Sequence, residues 1–166
     1  MALRKITEYP APVLVQKGVV VTDFDENLTQ LAADMFETMY QANGVGLAAQ
    51  QVGLSLRFFV MDCEGVKLTA ANPEIVATEG TQTSDEGCLS LGAVPAVMNR
   101  AETVTLRAQD LHGEWFERTA TGLAARCFLH ETDHCDGTLF IHHLPPLRRE
   151  MVIRSFQKRK KYRGKN

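Results

Sequence analysis

Residues 127–134 read CFLHETDH, with two histidines four positions apart and a glutamate directly after the first. The surrounding pattern predicts a helix that starts near Thr121 and stops at Gly137, where glycine suits the left-handed conformation of a helix end. Positions 123, 127, 130, 131 and 134 then share one helix face, because they follow the spacing i, i+4, i+7, i+8, i+11. This face predicts a metal site built on a helix, with the rest of the chain folded around it.

His130 and His134 can bind one metal ion, and Glu131 can reach a water molecule there as a general base. Two histidines with this spacing also occur on helices that bind no metal, so a third ligand matters. Cys88, in DEGCLSL, is the candidate. Two histidines and one thiolate would leave a fourth position open for water, as in catalytic sites.

Two other cysteines compete with Cys88 for the role of third ligand. Cys127 lies three residues before His130 on the same helix, where it suits the wall of a pocket beside the metal better than the metal itself. Cys135 lies on a different face of that helix from the histidines. In the reducing compartment of a cytosolic protein, we expect all four cysteines to be free thiols or metal ligands rather than disulfides. Their spacing contains no CxxC motif.

Residues 44–53, GVGLAAQQVG, satisfy the pattern G-x-G-x-x-A of dinucleotide-binding turns. That turn should follow a strand and open a helix, whereas this segment follows a predicted helix. A close approach of substrate to the backbone fits better, with the Gln51 amide as a donor to a developing oxyanion.

The remaining chain predicts an α+β fold, with short, mostly antiparallel strands around the central metal-binding helix. Apolar spacing predicts an N-terminal helix over 26–42, capped by Asp25 or Asn27 and stopped by Gly44. Runs of β-forming residues predict strands at 57–61, 66–76, 103–110 and 114–120, with Asp110–Gly113 as a hairpin turn. Pro145 and Pro146 break the chain before a basic C-terminal helix or tail.

The composition, 45% hydrophobic and 23% charged over 166 residues, is typical of one globular domain. No apolar run is long enough for a signal peptide or a membrane span, so we expect a cytoplasmic protein. Residues 147–166 carry nine Lys or Arg and one Glu, whereas the first 146 residues are acidic. We therefore divide the chain into a catalytic metallohydrolase domain, residues 1–146, and a basic C-terminal helix or tail, residues 147–166.

Three motifs occur in one order: G-x-G-L-A-A-x-Q, then E-G-C-L-S, then H-E-x-D-H. Together they resemble the signature of the peptide deformylases, metallohydrolases that remove the formyl group from the initiator methionine of new bacterial polypeptides. The likeness spans the chain, from ITEYPAPVL near the start to GTLFIHHL after the metal helix.

The resemblance implies a role for each matching residue. It makes Cys88, His130 and His134 the metal ligands and Glu131 the catalytic acid and base. Gln51 and the backbone N–H of Leu89 would stabilise the oxyanion of metal-assisted amide hydrolysis. The implied substrate-binding residues are Val45, Gly46, Glu86, Gly87, Leu123 and Cys127, where Val45 and Gly87 would pair with an extended peptide.

The resemblance also implies one divalent metal ion per chain and formyl-methionyl peptides as substrates. It favours Fe(II), although the ligand set also suits zinc, nickel or cobalt, and a thiolate with iron predicts sensitivity to oxygen. The basic tail would contact the ribosome, in bacteria or in an organelle of bacterial origin. Departures at Arg126, Thr132, Cys135 and LGAVPAV concern peptide preference rather than the reaction.

Two other classes of protein stay open on the residues alone. A zinc peptidase shares HExxH, but usually takes a histidine or carboxylate as its third ligand. A noncatalytic nucleic-acid-binding domain would fit the basic tail, but a structural metal site normally has four protein ligands. We also expect Arg100 to pair with Glu86 or Asp133 and so to support the metal ligands.

Overall fold

The computed structural model describes residues 2–163, which contain three α-helices and seven strands. The helices are α1 (Glu26–Gln41), α2 (Gly122–Cys135) and α3 (Pro146–Arg163). The strands are β1 (Gly46–Ala48), β2 (Phe58–Cys63), β3 (Val66–Glu79), β4 (Gln82–Glu86), β5 (Ala96–Arg100), β6 (Thr103–Gln109) and β7 (Trp115–Thr121). The predicted α+β class is confirmed.

The strands form two antiparallel sheets. Five of them pair in the order β1-β2-β3-β6-β7, and β4 pairs with β5 in a separate two-stranded sheet. Both β1 and β7 are edges of the larger sheet. Helix α2 packs against this sheet, with contacts to all five of its strands.

Strand β2 is apolar on both faces because each face is covered by a helix. Phe59 and Met61 belong to the core that includes Phe128 of α2, whereas Phe58 and Val60 belong to the core beneath α1. Successive strand residues point to opposite faces, so the continuous run FFVM fills two cores at once.

Helix α1 begins as predicted, but it ends differently. The Asp25 carboxylate accepts hydrogen bonds from the backbone N–H groups of Asn27 and Leu28 at 3.0 and 3.3 Å. Gly44 takes part in the helix stop, as expected, but through a hydrogen bond rather than through a left-handed conformation. Asn43 takes the left-handed conformation, with φ 58°. At the end of a helix this conformation is usually adopted by glycine and sometimes by asparagine. Gly44 contributes its N–H, which donates to the Met39 carbonyl at 2.9 Å.

Four strands lie where the sequence predicts them, and three were missed. Strands β2, β3, β6 and β7 overlap the predicted runs, and the turn at Asp110–Gly113 joins β6 to β7. The missed strands are β1, which has three residues, and the pair β4 and β5. Strand β4 reads QTSDE and has no apolar alternation, so its partner strand stabilises a sequence that looks like a loop.

The basic C-terminal segment is a helix rather than a frayed tail. Val152 and Phe156 of α3 are buried in an apolar cluster with Leu91, Phe140 and Ile141. The division at residue 146 stays a prediction, and residues 164–166 lie outside the described part of the chain. Among the described helices, none is both long and apolar enough to cross a membrane.

Candidate metal centre and active site

Helix α2 and the segment after β4 bring three ligand-type side chains together. The ligand atoms of Cys88, His130 and His134 all lie within 4.8 Å of one another, and all three residues are buried. Cys88 Sγ is 3.4 Å from Nε2 of His134. Among the described residues, this is the group of side chains that can hold a metal ion, and it includes neither Cys127 nor Cys135.

Cys127 and Cys135 take other positions, and all four cysteines are free and buried. Cys127 lines the cavity beside the three side chains, whereas Cys135 is fully buried in the core between α2 and the sheet. Burial raises the pKa of the Cys127 thiol well above its usual value. Both positions agree with the sequence argument that favours Cys88 as third ligand.

Glu86 fixes the orientation of the first histidine. Its Oε2 lies 2.7 Å from Nδ1 of His130, which leaves the other ring nitrogen free to bind a metal. Arg100 binds both carboxylate oxygens, at 3.0 and 2.7 Å, and Arg126 donates to Oε1 at 2.9 Å. Burial alone would raise the pKa of Glu86, but the hydrogen bonds from His130 and Arg100 hold it well below its usual range.

Arg100 contacts both of the carboxylates that the sequence offered as partners. Besides Glu86, it donates to Asp133 Oδ2 at 2.9 Å, and the same oxygen lies 2.9 Å from Nε2 of His143. The expected pairing of Arg100 is therefore confirmed at the level of contacts. A bidentate guanidinium holds a carboxylate in one orientation, so Arg100 can fix Glu86 and, through it, His130.

The two histidines lie in different electrostatic surroundings. Burial lowers the pKa of His134 well below its usual value, so this ring is neutral, as a metal ligand must be. Burial would lower the pKa of His130 too, but hydrogen bonds with Cys88 and Glu86 raise it well above its usual value. An anionic environment that favours a proton on His130 also favours a metal cation in the same place.

Glu131 is the one carboxylate of the site with a free buried oxygen. It is 4% exposed, and its Oε1 has no hydrogen-bond partner among the described residues. Burial raises the pKa of Glu131 to about 7. A carboxyl group that titrates near neutral pH can both take and return a proton.

Gln51 and Leu89 lie beside Cys88. The Gln51 Oε1 accepts from the Ala48 N–H at 2.9 Å, so its Nε2 is directed towards Cys88 Sγ, at 3.5 Å, and Ser90 Oγ, at 3.3 Å. Leu89 opens a short 3-10 helix, Leu89–Leu91, where the first N–H has no partner within the helix. The Leu89 N–H is therefore available to a ligand, and the Gln51 amide lines the same cavity.

A cavity of about 320 Å³ adjoins these side chains. All six residues expected to bind substrate line it, namely Val45, Gly46, Glu86, Gly87, Leu123 and Cys127. Gly46 is required by close packing, because a methyl group there would lie 2.7 Å from both Cys127 Sγ and Glu131 Oε2. The edge strand that follows Val45 thus runs directly along the carboxylate of the site.

Sequence reasoning missed two contributors to this site. Arg126 was singled out only as a position that differs from the usual sequence of the family. Its side chain is 2% exposed and pairs with Glu86, forty residues earlier in the chain. Ser90 was not singled out, although it accepts a hydrogen bond from Gln51. The position of Arg126 on the apolar part of a helix was the available signal for this pairing. An arginine at such a position is expected to be buried, and a buried arginine almost always has a charged or hydrogen-bonded partner.

Comparison with known proteins agrees with this geometry. The family model described as Polypeptide deformylase matches residues 3–150. A peptide deformylase of Acidobacterium capsulatum is 48% identical over 163 residues, which cover 95% of this chain and 96% of that protein.

Solved structures extend the similarity to the whole fold. The crystal structure of a peptide deformylase from Legionella pneumophila has a TM-score of 0.95 at 44% identity and covers 99% of each chain. That of the Ehrlichia chaffeensis peptide deformylase in complex with actinonin has a TM-score of 0.90 at 31% identity, covering 96% of this chain and 98% of that one. The chain belongs to the peptide deformylase family.

Proposed function

We propose that the chain removes formyl groups by metal-assisted hydrolysis, with Cys88, His130 and His134 as ligands of one divalent ion. The activity itself, removal of the N-formyl group from newly made polypeptides, follows from the family. The observation that carries the metal proposal is the buried group of three ligand atoms within 4.8 Å of one another. A buried polar atom without a partner among the described residues, Glu131 Oε1, also supports it.

Fe(II) is our proposal for the native ion. A set of one thiolate and two imidazoles also suits zinc, nickel or cobalt, so the ligands alone do not select the metal. When bound, a divalent ion supplies Lewis-acid polarisation of an amide carbonyl and a lowered pKa for a coordinated water molecule.

Glu131 would carry the proton through the reaction. Its carboxylate takes a proton from the attacking water and later delivers it to the nitrogen of the departing amine, leaving formate and a free N-terminus. A pKa of about 7 suits both transfers. Negative charge that develops on the formyl oxygen would be received by the Gln51 Nε2–H and the backbone N–H of Leu89.

The substrate would bind as an added strand beside β1. This strand pairs on one side with β2, so its other edge is open to an extended peptide. Val45 and Gly46 at this edge and Gly87 across the cavity would contact the peptide backbone. The methionine side chain would lie against Leu123, Cys127 and the stem of Glu86, a surface suited to a flexible thioether.

The basic helix α3 would contact the ribosome and would thus have a function separate from that of the catalytic part of the chain. Nine positive side chains in residues 147–166 suit contact with a phosphate backbone. Because ribosomes that make formylated polypeptides would be its partner, we also propose that the protein lies in the cytoplasm. The affinity for ribosomes should then fall steeply as salt is raised; an affinity independent of salt would exclude contact of this kind.

The metal proposal is tested by the Cys88→Ser variant. Protein purified without oxygen and loaded with Fe(II) should hold one ion per chain and release formate from a formyl-methionyl tripeptide. Cys88→Ser should lose both, whereas Cys135→Ser, which removes a thiol away from the ligand group, should keep both. Full metal content in Cys88→Ser would contradict the assignment of the third ligand.

A further inference from the structure

A second groove lies next to the catalytic cavity, between β5 and α3. The two share Asp85 and Pro95 in their walls, so the groove continues from the cavity. It has a volume of about 420 Å³. We call it the β5–α3 groove; its wall includes Asp85, Pro95, Val97, Arg148, Met151 and Arg159.

The β5–α3 groove combines apolar surface with a net positive charge, because two arginines outnumber the one carboxylate in its wall, that of Asp85. Val97 and Met151 are 49% and 61% exposed, so both offer apolar surface to a ligand in the groove. Arg148 and Arg159 donate to the backbone carbonyls of Val97 and Gly92. Within residues 2–163, neither guanidinium forms an ion pair with a carboxylate, although other arginines of the molecule do.

We propose that the β5–α3 groove binds the fourth to sixth residues of the formylated polypeptide and favours acidic side chains there. This inference rests on the proposed function, because it takes the methionine to lie in the cavity beside Gly87. Asp85 and Pro95 line both the cavity and the groove, and three extended residues span about 10 Å at ~3.3–3.4 Å per residue. A peptide that leaves the cavity between Asp85 and Pro95 therefore reaches the groove with its fourth residue.

Charge complementarity and continuity with the cavity both favour this occupant. The two arginines line the groove from positions eleven residues apart on α3, about 16 Å along the helix axis. Alternate side chains of an extended strand share one face and lie about 7 Å apart, so acidic residues four and six can each face one of the two long arginine side chains. Apolar surface at Val97 and Met151 would cover the intervening side chains. A longer substrate would thus gain contacts that a tripeptide lacks.

The test compares peptides that differ only beyond their third residue. The probes are a formyl-Met-Ala-Ser tripeptide and formyl octapeptides with Asp-Glu-Asp, Asn-Gln-Asn or Lys-Lys-Lys at positions four to six. At low salt, kcat/KM for the acidic octapeptide should exceed that for the neutral one by about threefold to tenfold, as two exposed ion pairs would give. The difference should lie in KM and should shrink as salt is raised.

The groove variant is Arg148→Gln with Arg159→Gln, and its matched control is Arg154→Gln with Lys158→Gln. Both remove two positive charges from α3, but the control positions lie outside the groove. The groove variant should lose the preference for the acidic octapeptide and keep wild-type kcat/KM for the tripeptide. The control should keep both.

Three results would overturn the inference. One is the absence of any preference among octapeptides in the wild type; another is an equal loss of preference in the groove variant and its control. The third is RNA binding that falls in the groove variant while its peptide preference is unchanged, which would assign the groove to nucleic acid. Failure of the wild type to release formate from the tripeptide would instead contradict the proposed function.

Discussion

Arg100 connects two carboxylates that lie beside the ligand group, Glu86 and Asp133. It holds both oxygens of Glu86, which in turn accepts from His130, and it also binds Asp133. Groups that orient metal ligands in this way typically change metal affinity by about 10–100-fold when they are removed. The ligand group is therefore supported by a network of buried charges rather than by three side chains alone.

The Arg100→Leu variant should bind metal about 10–100-fold more weakly, because Glu86 would no longer be held in one orientation. Competition with a chelator measures this affinity. Arg107→Leu is the control, since Arg107 pairs with Glu74 on an exposed part of the sheet. Arg100→Lys should recover part of the loss, as lysine keeps the charge but not the bidentate contact. Wild-type metal affinity in Arg100→Leu would show that the network is only structural.

At this scale, the sequence predicted the ligands through the family resemblance more than through spacing. The histidine pair is visible on one helix face, but its third partner comes from a segment about forty residues earlier. No local pattern connects Cys88 to His130, so without the family resemblance Cys127 and Cys135 were alternatives for the third metal ligand. The pairing of Arg126 with Glu86 could not be predicted for the same reason, since it depends on a tertiary contact between α2 and β4.

Among the elements, the two predicted helices agree with the structure more closely than the strands. Helices α1 and α2 have periodic apolar faces and identifiable caps, so their bounds differ from prediction by about one residue. Strands β1, β4 and β5 are short, and β4 is polar, because each exists through its partner rather than through its own sequence. Two of the missed strands, β1 and β4, contribute Gly46, Asp85 and Glu86 to the wall of the catalytic cavity.

The N-terminal cap of α1 gives a prediction for one element. Asp25→Ala should lower the free energy of unfolding by about 1 kcal/mol, because two backbone N–H groups of the first turn lose their acceptor. Urea unfolding measures the change. Asp23→Ala, two residues before the cap and outside the helix, should have a smaller effect. Equal losses in the two variants would argue against a capping role.

Across the whole molecule, Asp34 fastens the N-terminal segment to α1. Its carboxylate accepts from the Ala2 N–H at 2.8 Å and from the Gln30 amide at 2.8 Å, and it pairs with Arg4. These contacts, the bond from Ala2 first, lower the pKa of Asp34 below its usual value, although burial partly opposes them. A carboxylate with a lowered pKa in the folded state stabilises the protein above its unfolded-state pKa.

The Asp34→Asn variant should therefore be less stable than the wild type at pH 7, by an amount that stays constant down to about pH 5. The difference should shrink as the pH falls below about 4, where the carboxylate of the unfolded chain takes up a proton before that of the folded protein does. Melting temperatures at several pH values measure it. Glu64→Gln, at an exposed turn, controls for the loss of one carboxylate. A difference that grows on acidification would contradict the assignment.

The overall class of the fold was predictable, whereas the relation of α3 to the site was not. Charge and a proline pair indicated a separate basic segment, but Val152 and Phe156 tie α3 to the core next to Cys88. Two buried apolar residues in a strongly basic helix give little periodic signal. That packing is what creates the groove beside the catalytic cavity.

The most direct test of the central claim is formate release by the Glu131→Gln variant, with metal content measured on the same sample. Glutamine keeps the size of the side chain but cannot exchange the proton. We predict one metal ion per chain, as in the wild type, and formate release from a formyl-methionyl tripeptide reduced by at least about a hundredfold. Wild-type formate release from metal-loaded Glu131→Gln would contradict the assigned role of Glu131, and with it the mechanism.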